Sequence, residues 1–131
     1  MMDVAEFVAK NYYNDETLDR INEERALLNH PGVYFKRSPD AELVLIYMAL
    51  SDNMLAKLRS ISDANMFTPA FTSELLSNSG RNIYVFRLVT EGPYRIQTLR
   101  EMRDSIIKEH NAKTFSWHDD KNVLLHTYEV K

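Results

Sequence analysis

The chain predicts an α+β domain built on one mostly antiparallel sheet flanked by helices, closing with a β-α-β unit and a hairpin. Three observations carry this. Residues 42–50 (ELVLIYMAL) and 82–90 (NIYVFRLVT) are apolar, β-branched and aromatic runs of strand length, as expected of strands covered on both faces. Residues 94–110 repeat apolar side chains at helical spacing and lead into a further strand-like run, TFSWH at 114–118. At 131 residues, 44% of them apolar, with three glycines and four prolines, the chain can bury one continuous core and has no linker-like or repeated tract. Residues 1–131 therefore read as one domain, helical over 1–30 and sheet-forming over 33–130.

The elements follow in order. Asp3 is placed to cap a helix over 3–13, with Val4, Phe7 and Val8 at helical spacing. A second helix starts near Asp15, carries its acids early, where the helix dipole favours them, and stops at His30-Pro31-Gly32. VYFKR (33–37) reads as a strand, 38–41 as a turn, and 42–50 as a strand central in the sheet. Ser51 caps a helix over 52–60, and Thr68-Pro69, a cap followed by proline at the first helical position, opens another over 69–77. After strand 82–90, Gly92 reads as the cap and Pro93 as the first residue of a helix reaching His110. Its broad apolar face carries Ile96, Leu99, Met102, Ile106 and His110. TFSWH, a DDKN turn and VLLHTYEV form a terminal hairpin in which Phe115, Trp117, Leu124, His126 and Tyr128 share a face.

Composition narrows the function. Sixteen basic against 19 acidic side chains leave no basic surplus, which argues against a nucleic-acid partner. The absence of cysteine excludes disulfides, thiolate metal sites and a cysteine nucleophile. No run approaches the ~18 apolar residues of a membrane span, and the N-terminal stretch lacks a signal-peptide core, so the expectation is a soluble, cytoplasmic protein without a membrane partner. None of the patterns GxSxG, HExxH or GxxxxGK[ST] occurs.

Candidate chemistry centres on a few residues. At Glu91-Gly92-Pro93-Tyr94, a helix opening on Pro93 would point the N–H groups of Tyr94 and Arg95 forward with the dipole behind them; this is an anion-binding arrangement, and also an ordinary strand-to-helix turn. His126, among aromatics in the hairpin, reads either as a general base tuned by burial or as a half-buried structural imidazole. His118-Asp119-Asp120 reads as a solvated turn rather than a metal site, and His30 and His110 as helix-end residues. Strand alternation puts Arg87 on the face of Ile83, Val85 and Val89, where it either pairs with an acid such as Glu42 or Glu91 or meets an anionic ligand.

LIYMALSDNMLAKLR (45–59) is a strand ending in a small-residue-Leu-Ser turn, then a helix with a late Leu-Arg. SNSGRNIYVFRLVTEGPYRIQTLREMR (77–103) is a Ser-Gly step, an aromatic strand, a turn and a helix. In these stretches, and in element order over residues 33–130, the chain resembles the GNAT acyltransferase superfamily. Within it, the likeness is to the branch holding the toxin-activating lysine acyltransferases and acetyltransferase-like phage proteins. The resemblance implies transfer of an acyl group from acetyl-CoA or another acyl-CoA to an amine. It implies cofactor walls at 83–90, 91–95 and 114–118, with Val89, Gly92, Tyr94 and Arg95 binding the cofactor and His126 or Glu91 as base. It also admits an inactive GNAT-like phage protein, in the host cytoplasm or the virion, whose partner is a host protein rather than a small amine substrate. A third reading is an unrelated α+β adaptor presenting helices 52–77 to a partner. Divergence of strands 83–90 and 114–118 beside a cleft is the observation that bears most on these readings.

Overall fold

In the computed structural model, which describes residues 2–61, 63–119 and 121–131, two helices precede the sheet: α1 (Val4–Asn11) and α2 (Leu18–Leu28). Asp3 caps α1 by accepting the Glu6 N–H at 2.8 Å, and Thr17 caps α2 by accepting the Arg20 N–H at 3.3 Å. Helix α2 starts after Asp15 because the Asp15 carboxylate accepts the Thr17 N–H at 3.0 Å and holds a turn there. Next come β1 (Tyr34–Arg37), β2 (Leu43–Leu50), α3 (Asp52–Ile61), a 3₁₀ turn (Ala64–Met66) and α4 (Pro69–Leu76). The chain closes with β3 (Asn82–Thr90), α5 (Ile96–His110), β4 (Thr114–His118) and β5 (Leu125–Glu129). Ser51 and Thr68 cap α3 and α4, accepting the N–H groups of Met54 and Phe71 at 3.2 and 3.0 Å.

The five strands lie in chain order, β1-β2-β3-β4-β5, antiparallel at every neighbour except the β3–β4 pair, which α5 connects in parallel. The α+β architecture with a mostly antiparallel sheet is as the sequence predicts. Every residue of β2 is buried, yet the middle strand is β3, not β2. One face of the sheet packs on α5: Leu45, Tyr47, Ile83, Val85 and Phe115 meet Met102 and Ile106. The other face is shared. Val44, Ile46 and Val89 pack with Phe7 and Val8 of α1, and Met48, Leu50 and Tyr84 with Leu55, Leu58, Phe71 and Leu75 of α3 and α4. Both faces of β2, and of β3 from Asn82 to Val85, are thus removed from water, the reason these strands read as near-continuous apolar runs.

Alternation through β3 breaks once. Ile46 of β2 pairs with Arg87 and the next residue, Tyr47, with Val85, so Phe86 is an extra residue in β3. Ile83 and Val85 face α5, whereas Phe86 packs on the opposite side and Arg87 reaches Glu24 of α2. The expectation that Arg87 shares a face with Ile83 and Val85 is therefore corrected, as is its partner: the acid is Glu24, not Glu42 or Glu91. The terminal hairpin places Phe115 opposite Tyr128 and Trp117 opposite His126, which keeps these four side chains on one face as expected but shifts the pairing by two residues from closure on a DDKN loop. Its connection is longer than DDKN, because Asp119 accepts the Val123 N–H at 3.0 Å and the Asp119 N–H reaches the Leu124 carbonyl at 3.0 Å, leaving Val123 and Leu124 in the loop. Among the described residues, no helix is long and apolar enough to cross a membrane.

Candidate functional site: a cleft where two parallel strands part

The β-α-β unit has a sealed end and an open one. At the sealed end, β3 and β4 pair from Asn82–Thr114 to Val85–Trp117. Buried Asn82 donates to the Leu50 carbonyl at 3.0 Å and to Asp52 at 2.8 Å, and accepts from the Thr114 hydroxyl at 2.9 Å. Beyond Val85, β3 continues to Thr90 with ladder partners on β2 alone among the described residues. A cleft of about 660 Å³ begins where the pairing stops. Its apolar wall includes Leu45, Val85, Leu99, Phe115 and Trp117. Its polar lining includes Tyr12, Arg87, Tyr94, Arg100, Arg103, His118, Asp119 and His126.

Cations dominate this lining. Arg87 Nη1 donates to Glu24 at 2.7 Å, and its guanidinium lies 5.1 Å from the Tyr12 ring and 5.3 Å from the Tyr13 ring. Arg100 and Arg103, three residues apart on α5, share one side of the helix. Arg103 donates to Asp104 at 3.0 Å and lies 4.4 Å above the Tyr128 ring. The cleft's described carboxylate, Asp119, is held below the usual range chiefly by the Val123 N–H it accepts. His118 Nδ1 lies 2.8 Å from the Tyr84 hydroxyl, whose phenol burial pushes upward, keeping it a neutral hydrogen-bonding group. His126 stacks on Trp117 with ring centroids 5.7 Å apart. It is exposed at the cleft rather than half-buried in the hairpin.

The junction before α5 departs from expectation. Helix α5 begins at Ile96 and its N-cap is Arg95, with no side-chain capping bond, so neither Gly92 nor Pro93 occupies the predicted capping positions. Gly92 instead takes a left-handed φ of +81°, and the Thr90 hydroxyl donates to its carbonyl at 2.6 Å. That turn consumes the residues that would have opened the helix. The uncapped first-turn N–H groups accordingly belong to residues 96–98 rather than to Tyr94 and Arg95.

Of the residues singled out beforehand, the fold brings Arg87, Tyr94, His118, Asp119 and His126 to the cleft. Glu91 points away, 3.7 Å from Lys10. The Val89 side chain is buried in the α1-facing core, although its backbone belongs to the stretch of β3 lacking a partner on the β4 side. Arg95 lines a second, smaller hollow with Asp40 and Glu42. Gly92 lies in the turn between β3 and α5, outside both linings. The arginines of α5 and the Tyr84–His118 pair were not anticipated; the spacing of Arg100 and Arg103 was the available signal. Among the described residues, no three His, Asp or Glu side chains are grouped to hold a metal ion.

Comparison of the chain with protein-family models, curated proteins and solved structures found no match.

Proposed function

We propose that the chain is an acyl-CoA-dependent N-acyltransferase whose donor lies in the β3–β4 cleft and whose acceptor is an amine. The observation that carries this reading is the half-paired β3. Among the described residues, 86–90 have no ladder partner on the β4 side, and they lie beside an apolar-walled cleft rimmed by arginines. An extended pantetheine arm, with its two amides, suits such a strand edge, since main-chain hydrogen bonding is what that edge offers. Arg100, Arg103 and the uncapped first turn of α5 suit the donor's phosphates. Glu91, the negative charge nearest the turn, is drawn to Lys10.

When bound, the thioester supplies an electrophilic carbonyl carbon: the amine nitrogen forms the C–N bond, the C–S bond breaks, and the sulfur leaves with the electron pair while the nitrogen sheds a proton. His126, exposed on the cleft wall and oriented by stacking on Trp117, is the group of this chain assigned to take that proton. Tyr84 fixes the ring of His118 at the other side.

The test is direct binding. Acetyl-CoA at millimolar concentration is expected to raise the melting temperature by several degrees and to change the fluorescence of Trp117, the chain's single tryptophan. A melting curve and emission spectrum unmoved by acetyl-CoA, CoA and longer acyl-CoAs would sink the reading.

A further inference from the structure

We infer that Arg87 is a carboxylate-recognition point, and that the acceptor is a small amine that also carries a carboxylate; this rests on the acyl-transfer reading above. The cleft passes between two strands of the sheet and is lined from both of its faces. Leu45, Val85 and Phe115 belong to the α5 face, whereas Arg87 turns toward α1 and α2, beside Tyr12. A donor lying along α5 leaves the opposite mouth to the acceptor, and that mouth is where this guanidinium sits.

Arg87 is held as a recognition group. Glu24 takes a hydrogen bond from Nη1, the Tyr12 and Tyr13 rings flank the guanidinium, and the side chain is 18% exposed. Glu24 is itself buried and is not part of the cleft lining, so it backs the arginine without offering a carboxylate to the ligand. A guanidinium fixed in this way keeps further N–H donors in a rigid planar fork. That fork matches the two oxygens of a carboxylate, and a neutral carboxamide supplies one oxygen and no charge.

Trp117 reads the outcome. Its fluorescence is titrated with β-alanine against β-alaninamide and γ-aminobutyrate against γ-aminobutyramide, with and without acetyl-CoA, while thiol release gives kcat/KM for the same pairs. Each carboxylate is expected to act at least about tenfold better than its amide. The preference should vanish in the double variant Glu24→Gln/Arg87→Gln, which removes the cation without stranding a buried anion. The wild-type comparison needs no variant and stands even if that double variant does not fold. Acetyl-CoA binding with equal use of carboxylates and amides overturns the carboxylate assignment and leaves acyl transfer standing. Carboxylate preference without any response to acetyl-CoA overturns acyl transfer and supports the Arg87 site. Silence toward both ligand sets overturns both.

Discussion

The two ends of the β3–α5–β4 unit are built from the same three elements and differ in almost everything else. At the sealed end, four rungs join the strands, buried Asn82 ties them to β2 and α3, and α5 finishes on a left-handed Asn111 with His110 Nε2 2.9 Å from the Tyr47 hydroxyl. At the open end, β3 runs on without β4, α5 starts without a side-chain cap, and Ile96 is 58% exposed. The sealed end satisfies its polar groups within the chain; the open end leaves backbone and arginine donors facing a cleft. The difference separates residues that hold the unit together from those free to meet a ligand.

Three perturbations probe this contrast. The largest effect is expected at the sealed end: Ile83→Ala, at a fully buried position against α5, should cost about 4 kcal/mol in urea unfolding, against about 1 kcal/mol for Leu88→Ala in the half-buried open segment. Equal costs would erase the distinction. Next, Arg87→Ala strands buried Glu24 and should cost about 3 kcal/mol, whereas Glu24→Leu combined with Arg87→Met should return stability to within about 1 kcal/mol of the parent. A double variant as unstable as the single one would show that the pair is needed for folding itself.

The smallest effect is a pH dependence of the sealed end. Burial holds His110 below its ordinary value of 6.5, outweighing Glu109, which acts in the opposite direction. The unfolded chain therefore binds this proton first as the pH falls. The stability contributed by neutral His110 is present above about pH 6.5 and is lost as the pH drops through the folded-state value. His110→Gln should flatten the decline in unfolding midpoint between pH 7.5 and 5.5, pH values chosen to span roughly one unit either side of histidine's ordinary pKa. An unchanged slope would remove His110 from the account.

Much of the fold was legible because its signals are local. Asp3, Ser51 and Thr68 announce helix starts by side-chain capping, and the apolar runs of β2 and β3 reflect helices packed on both sides of the sheet. The bulge at Phe86 was not legible: no glycine marks it, and it exists only in the register of β3 against β2. The Arg87 partner was hidden by distance, since Glu24 lies 63 residues upstream on a helix whose orientation depends on tertiary packing. At Glu91-Gly92-Pro93 a local rule misled, because Gly92 used its freedom at positive φ to lengthen the turn instead of starting the helix. Tyr94 and His126 reached the cleft as anticipated by position, while Arg100 and Arg103 did so through the side of α5 that its apolar periodicity leaves undescribed.

The extra residue in β3 has a consequence for how such a cleft can arise in a lineage. By register, a chain lacking Phe86 alone would pair Val85 and Arg87 with Tyr47 and Ile46 on consecutive rungs. Every other side chain of β3 would keep the face it has now: Ile83, Val85 and Leu88 toward α5, Arg87 and Val89 away from it. An in-frame insertion or deletion of one codon, taken up as this bulge, thus adds or removes the strand's irregularity without turning the core inside out, whereas one taken up as a shift of register would reverse the faces of everything that follows. In this protein the passage between a regular strand and an irregular one is a single mutational step.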